Sequence, residues 1–152
     1  MKIAIGADHA GFELKDRLVE MLRGEGHEVE DFGTSSSEST DYPDYAALVA
    51  RAVSGGSAAA GLLVCGSGVG MAIAANKVPG VRAANCPDAE CARLARGHND
   101  ANVLALASRR LSDREAEEIT RTFLASDFEG GRHARRVDKI TSLEKEDRSP
   151  HV

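Results

Sequence analysis

The sequence lacks tryptophan and has only two tyrosines, four phenylalanines and three cysteines among its 152 residues. No apolar run approaches the ~20 residues that a membrane-spanning helix needs, and the opening segment lacks the pattern of a signal peptide. Cys65, Cys86 and Cys91 are odd in number and are not spaced like zinc ligands. This cysteine usage favours reduced thiols over a disulfide framework or a zinc site. We therefore expect a cytoplasmic protein without a membrane segment.

Basic residues are in the minority, with 19 lysines and arginines against 24 acidic residues and a formal net charge of -5. A general nucleic-acid binder normally presents a basic surface, so we expect no nucleic-acid partner. The hydrophobic content of 42% is ordinary for a globular protein, and the length suits one domain. We expect this domain to cover residues 1–143 and to be followed by a charged tail over residues 144–152.

Short apolar segments alternate with amphipathic segments along the chain. The amphipathic segments predict helices, one of which follows a capping box of Ser112 and Glu115, and the last of which covers Arg132–Glu146. This alternation indicates an α/β fold with one parallel sheet covered on both faces. Ligands bind such sheets at the carboxyl ends of the strands. The predicted strands are KIAIG, HEVEDFG, AGLLVCG, VRAANC and ANVLALAS.

The segment Val64–Ala72, VCGSGVGMA, places three alternating glycines after a predicted strand. It lacks the lysine of a Walker P-loop and matches the dinucleotide-binding fingerprint G-x-G-x-x-G only in part. A cysteine phosphatase loop needs an arginine six residues after its cysteine, where this chain has Met71. The remaining interpretation is a glycine turn at the start of a helix, whose backbone N–H groups hold an anion or a developing oxyanion.

Cys65 stands at the entrance of this turn. A helix N-terminus favours the thiolate and lowers the pKa of a thiol below its free value of about 8.5. A thiolate here could act as a nucleophile or as a base that removes a proton. The alternative is a buried cysteine that ends a core strand. The adjoining glycines and Ser67 favour the chemical role.

Groups that transfer protons also occupy other predicted loops next to strands. Asp8 and His9 directly follow the first strand, and His98 and Asn99 are predicted to lie in the loop before the fifth strand. The alternatives are that Asp8 caps the following helix and that His98 is a surface residue. Because three such loops, including that of Cys65, carry these groups, we favour an active site.

Arginines supply a candidate anion site. Arg132 and Arg136 are four residues apart and share one helical face, although cations in a first helical turn oppose the helix dipole. This placement indicates a bound anion such as phosphate, for which Arg109 is a third candidate ligand. The alternative is that Asp127 and Glu129 simply neutralise these cations.

These segments resemble the ribose/galactose isomerase family of sugar-phosphate isomerases, and within it the type B ribose-5-phosphate isomerases. The resemblance runs from about Met1 to Leu143. It implies a Rossmann-like three-layer α/β/α sandwich with a five-stranded parallel sheet. It also implies a homodimer or a dimer of dimers in which each pocket is built from two subunits. The matching segments are GADHAGFELK, TDYPDYA, CGSGVGMAIAANKVPGVRAA, HNDANVLALASR and FEGGRHARRV.

The resemblance also assigns roles to the candidate residues. Cys65 matches the family's proton-abstracting cysteine and Ser67 its neighbouring hydroxyl residue. His98 matches the histidine of sugar-ring opening, which we expect Asp8 to assist. One branch of the family uses a glutamate where this chain has Met71, so this chain follows the cysteine branch. The positions that match residues lining the sugar or its phosphate are His9, Tyr42, Gly66, Gly68, Val69, Gly70, Asn99, Arg109, Arg132 and Arg136.

The resemblance implies an aldose–ketose isomerase that interconverts ribose 5-phosphate and ribulose 5-phosphate, a step of the pentose phosphate pathway. The reaction is expected to pass through an enediolate and to use neither a cofactor nor a metal ion. The nearest alternative is a six-carbon substrate such as allose 6-phosphate or galactose 6-phosphate. A non-catalytic sugar-phosphate-binding protein and a thiol-dependent hydrolase are further alternatives that the residues alone leave open.

Overall fold

Five parallel strands form the central sheet of this protein, whose computed structural model describes residues 1–146. The strands are β1 (Lys2–Ala7), β2 (Glu28–Asp31), β3 (Ala60–Cys65), β4 (Ala83–Asn85) and β5 (Val103–Ala107). Their order across the sheet is β2-β1-β3-β5-β4. Every residue of β3 and β5 is buried, as continuous apolar runs predict for central parallel strands. The predicted parallel sheet of five strands is therefore confirmed.

Helices cover both faces of the sheet. They are α1 (Phe12–Gly24), α2 (Tyr42–Ser54), α3 (Val69–Ala75), α4 (Ala89–Asn99), α5 (Asp113–Ala125) and α6 (Arg132–Glu146). Leu62 and Val64 pack with α1, α4 and α5 on one face, whereas Leu63 and Cys65 pack with α2 and α3 on the other. This alternation with a period of two produces two separate apolar cores. The Rossmann-like three-layer sandwich is thereby confirmed.

The predicted capping box begins α5. The Ser112 hydroxyl accepts the N–H of Glu115 at 3.2 Å, and the Glu115 carboxylate accepts the N–H of Ser112 at 2.8 Å. These two bonds satisfy N–H groups that have no partner within the helix, which explains why the helix starts here.

The last helix, α6, continues to Glu146, so the first three residues of the predicted tail are helical. Glu144 accepts the N–H of Gly80 at 2.9 Å, which ties this end of the helix to the loop before β4. Residues 147–152 lie outside the described residues, and the division of the chain at residue 143 stays a prediction. Within residues 1–146, none of the helices has the length and apolar character that a membrane crossing requires.

The end of α4 differs from the sequence prediction. His98 and Asn99 are the last residues of α4, so placing them in a loop was wrong. The helix ends at Asn99 because the next residue, Asp100, adopts a left-handed conformation with φ of 46°, and its N–H bonds to the carbonyl of Arg96. A left-handed residue is a common helix terminator, and asparagine and aspartate tolerate it better than most residues.

Candidate active site

A cavity of about 620 Å³ lies at the carboxyl edge of the sheet, where β1, β3 and β5 end. Its size is typical of a site for a small molecule. Gly68 is the cap of α3 and Val69 is its first residue, so both lie between the lining residues Ser67 and Gly70. The predicted site residues that line the cavity are Asp8, His9, Tyr42, Cys65, Gly66, Ser67, Gly70 and Arg109.

Cys65 ends β3 and places its sulfur at this cavity. The residue is only 4% exposed and packs in the apolar core beneath α2 and α3, so the core interpretation accounts for its burial. The same residue lines the cavity, and its Sγ accepts the backbone N–H of Gly68 at 3.2 Å. An N–H aimed at a sulfur stabilises the thiolate relative to the thiol. The sulfur is therefore placed and supported for chemistry as well as for packing.

The glycine loop folds back over this sulfur and starts α3. Gly68 has a φ of 73°, which a residue with a side chain rarely adopts, and it is the cap of the helix. A Cβ added at Gly70 would lie 2.6 Å from Cζ of Tyr42, so only glycine lets this ring approach the loop. The Ser67 hydroxyl accepts the N–H of Val69 at 3.2 Å and lies at the cavity. The loop thus places backbone N–H groups and one hydroxyl beside Cys65.

The loop after β1 supplies Asp8 and His9. Asp8 does not cap α1, as the alternative interpretation expected, because the cap residue is Gly11 and no side chain bonds there as a cap. Its carboxylate instead accepts the N–H groups of Ala10 at 3.0 Å and Gly11 at 3.1 Å in the turn before the helix. Asp8 is nevertheless a residue of the cavity wall. His9 accepts the N–H of Thr40 through Nδ1 at 3.2 Å, so its other ring nitrogen remains for a ligand.

The turn after β5 places arginine residues at the cavity. The N–H of Arg109 donates to the Gly66 carbonyl at 3.2 Å, which joins this turn to the glycine loop. Arg110 lines the cavity as well, although it was not among the predicted site residues. The sequence feature that could have identified Arg110 is the adjacent pair of Arg109 and Arg110 directly after the fifth predicted strand. Two guanidinium groups at one cavity suit a phosphate or another anion.

Of the other predicted residues, His98, Arg132 and Arg136 form a second group around His133, and Asn99 lies apart from both groups. His98 stacks on His133, with ring centroids 4.1 Å apart and planes inclined by 10°. Each ring places Nε2 3.6 Å from the same Glu129 carboxylate oxygen. Asn99 lies at a separate groove of about 470 Å³.

The two groups lie at opposite edges of the sheet within one chain. Cys65 pairs with Ala107 at the end of β5, whereas His98 precedes Val103 at the start of that strand. The five strand residues from Val103 to Ala107 span four steps of about 3.3 Å, which separates these edges by roughly 13 Å. The structure of one chain therefore does not bring His98 to the Cys65 cavity.

His133 in the second group lies close to several positive charges. Burial lowers the pKa of His133 below its usual value, and the nearby positive charges of His98, Arg132 and Arg136 lower this pKa further. Glu129 partly opposes the shift. Burial would disfavour a charge of either sign, but the contribution of these neighbouring positive charges is one that a nearby anion would offset.

His98, Glu129 and His133 place their ligand atoms within 4.8 Å of one another, a separation that a metal ion could bridge. The two imidazole planes are nearly parallel, however, so their in-plane lone pairs do not converge on one point as tetrahedral ligands do. Arg132 and Arg136 also carry positive charge close to His133. Geometry and charge therefore suit an anion here better than a cation.

Cys86 differs from Cys65. Cys86 is fully buried, and its pKa is raised far above the usual value by burial first and then by Cys91 and Asp88. It therefore stays a neutral thiol. This agrees with the structural role predicted for it.

An α/β sheet with a thiol, a glycine loop and arginines around one cavity at its carboxyl edge defines an enzyme for a small anionic substrate. Residues 3–140 match the family described as Ribose/Galactose Isomerase, and the chain belongs to this family. The predicted resemblance and the isomerase class are thus confirmed.

Curated relatives and solved structures agree with this assignment. The chain is 51% identical over 144 residues to ribose-5-phosphate isomerase B of Escherichia coli (strain K12), covering 95% of this chain and 97% of that protein. It is 50% identical to the solved ribose-5-phosphate isomerase B of Clostridium thermocellum, with a TM-score of 0.96 over 97% of this chain and 99% of that one. The Mycoplasma genitalium enzyme, solved with bound ribulose-5-phosphate, is 47% identical with a TM-score of 0.92, over 95% of this chain and 97% of that one.

Proposed function

We propose that this protein interconverts ribose 5-phosphate and ribulose 5-phosphate, with the Cys65 thiolate as the base. The observation that carries the proposal is the Cys65 sulfur, which lines the cavity and accepts the Gly68 N–H at 3.2 Å. The relatives named ribose-5-phosphate isomerase B support the substrate, and one of them was solved with ribulose-5-phosphate bound.

The proposed reaction moves one proton between adjacent carbons. Once the ring is open, the thiolate removes the C2 proton, and the electron pair of that C–H bond forms the C1–C2 double bond of an enediolate. Negative charge moves to the carbonyl oxygen, which the N–H groups of the glycine loop and the Ser67 hydroxyl stabilise. A proton moves from the C2 hydroxyl to the C1 oxygen. The Cys65 thiol then protonates C1, which leaves a ketone at C2 and restores the thiolate.

We propose that arginines bind the phosphate. The binding energy of the phosphate, which lies far from the reacting carbons, then holds these carbons beside the sulfur. The developing enediolate is stabilised by the N–H groups of the glycine loop and by the Ser67 hydroxyl. The mechanism we propose therefore includes no metal ion.

We further propose that the second group completes the cavity of another copy of this chain, in a homodimer or a dimer of dimers. His98 would then open the sugar ring as an acid–base group, with Asp8 from the other subunit. Large apolar side chains that a neighbouring subunit could cover support this arrangement. Val69 and Ile73 on α3 are 50% and 58% exposed, and Ile140 and Leu143 on α6 are 43% and 62% exposed.

A substrate panel tests the reaction and the sugar together. We expect the highest kcat/KM for ribose 5-phosphate and lower values for allose 6-phosphate and galactose 6-phosphate. A higher value for a six-carbon sugar would overturn the five-carbon assignment. Failure to convert any aldose phosphate would instead favour a protein that only binds sugar phosphates.

Matched cysteine variants test the base. Cys65→Ala should lower kcat by on the order of 10³-fold with KM little changed, since a positioned base contributes 10²–10⁴-fold. Cys86→Ala is the control, because Cys86 is a buried neutral thiol outside the cavity wall. Near-normal turnover by Cys65→Ala would exclude Cys65 as the base.

A further inference from the structure

Asn85 is the last residue of β4 and reaches the glycine loop from across β5. It alternates with Ala84 and shares the α3 face of the sheet with Ala83, which packs against the core on that face. Its side-chain amide donates from Nδ2 to the Ser67 carbonyl at 3.2 Å. Its Oδ1 lies against Gly68, where an added Cβ would be only 2.5 Å from that oxygen. The side chain therefore touches the loop on both sides of the Ser67–Gly68 peptide bond.

This peptide bond connects Asn85 to the sulfur. The Ser67 carbonyl and the Gly68 N–H belong to one planar trans peptide, in which the two groups point in opposite directions. The carbonyl accepts the bond from Asn85, and the N–H donates to Sγ of Cys65 at 3.2 Å. Two hydrogen bonds in series thus join the Asn85 amide to the sulfur through a single peptide unit.

Hydrogen bonds that are connected in series strengthen each other. A donor at the carbonyl oxygen polarises the peptide and makes its N–H a stronger donor. The same donor fixes the orientation of the peptide, which a glycine with positive φ would otherwise leave freer to rotate. Loss of the Asn85 donor should therefore weaken the N–H contact to the sulfur as well as loosen the loop.

We propose that Asn85 is a positioning residue for Cys65, which holds the Ser67–Gly68 peptide so that its N–H stabilises the thiolate. This inference rests on the proposed function, in which that thiolate removes the substrate proton. Asn85 acts through the peptide and is not itself a catalytic residue.

Three substitutions separate donor chemistry from packing. Asn85→Asp keeps the shape but replaces the N–H₂ donor with a carboxylate, which repels the Ser67 carbonyl. Asn85→Leu keeps the volume without any hydrogen bond, and Asn85→Ala removes both. Asn76→Ala is the matched control. Asn76 follows the last residue of α3, far from the glycine loop in sequence, and bonds to the backbone of Ala83 in β4 at 2.9 Å and 2.8 Å.

The test measures the alkylation rate of Cys65 by iodoacetamide against pH in the full-length protein, read by mass spectrometry of its peptide. We expect the midpoint of this profile to rise by about one pH unit in Asn85→Asp, which loses the donor and adds a negative charge near the sulfur, and by less in the Ala and Leu variants, which lose only the hydrogen bond. At neutral pH, kcat should fall about tenfold in Asn85→Asp while KM changes less than about twofold. Asn76→Ala should keep the wild-type midpoint.

Folded Asn85 variants with a wild-type midpoint and wild-type kcat would overturn the inference. A loss of kcat that accompanies lower thermal stability with an unchanged midpoint would also overturn it, since Asn85 would then be structural. If Asn85→Asp fails to fold, the midpoints of the Ala and Leu variants test the inference, and wild-type midpoints in both would overturn it. Full activity of Cys65→Ala would refute the proposed base while leaving the alkylation result to report on Asn85 alone.

Discussion

Mixed dimers offer a quantitative test of the shared pocket. Cys65 and His98 lie at opposite edges of the sheet in one chain, at the two ends of β5. A sugar carbon held at the sulfur is then too far from His98 of the same subunit for direct proton transfer, which needs about 3 Å. The perturbation is to place Cys65→Ala in one subunit and His98→Asn in the other.

The expected recovery follows from counting pockets. A mixed dimer has one pocket with both wild-type residues and one pocket with neither, whereas each unmixed dimer has no complete pocket. Random pairing of equal amounts makes about half of the dimers mixed, each with one working pocket of two, so about a quarter of the wild-type activity should return.

The assay co-refolds the two variants in equal amounts and compares the initial isomerase rate with the sum of the separate rates. Mixing Cys65→Ala with the double variant Cys65→Ala/His98→Asn is the control, since no pairing restores a pocket. A mixture no more active than that sum, despite exchanged subunits, would refute the shared pocket.

Three further changes test single features of the structure. Gly70→Ala should keep or raise the melting temperature, because alanine favours a helix by about 1 kcal/mol over glycine. It should raise KM, because the new Cβ would displace Tyr42, whose Cζ lies 2.6 Å away; an unchanged KM contradicts this reason. His133 has a lowered pKa when folded, so its contribution to stability is complete above the unfolded value of about 6.5 and is lost as pH falls below it. His133→Asn should therefore flatten the fall in melting temperature between about pH 7.5 and 5.5, and a fall as steep as that of the wild type speaks against this explanation. Ser112→Ala should lower the free energy of unfolding in urea by about 1 kcal/mol, because it removes the acceptor for the Glu115 N–H, and no measurable loss would show the cap to be unimportant.

The central strands could be predicted from the sequence because a strand that is buried on both faces of the sheet consists of a continuous run of apolar residues. Leu62, Leu63 and Val64 face alternate apolar cores, so the strand appears as an uninterrupted apolar run. The position of the site at the carboxyl edge could be predicted from the parallel arrangement of these strands. Residues directly after parallel strands meet at one edge, and Asp8 and Cys65 do line one cavity.

The remaining parts of the site depend on contacts that local sequence does not encode. Asn85 reaches Ser67 only because β5 lies between β3 and β4, and alternation of strands and helices does not determine that order. His98 precedes a strand instead of following one, which puts it at the opposite edge from Cys65. The proposed approach of His98 to a sulfur requires a second subunit, about which the residues of one chain carry no local signal.

The exchange of solvent hydrogen into the sugar tests the central claim most directly. The protein is incubated with ribose 5-phosphate in deuterium oxide, and deuterium at C1 and C2 is measured by NMR for the wild type and for Cys65→Ala. We expect the wild type to incorporate deuterium and Cys65→Ala to incorporate none above background while still binding the sugar phosphate. Incorporation by Cys65→Ala at the wild-type rate would contradict the assignment of the thiolate as the base.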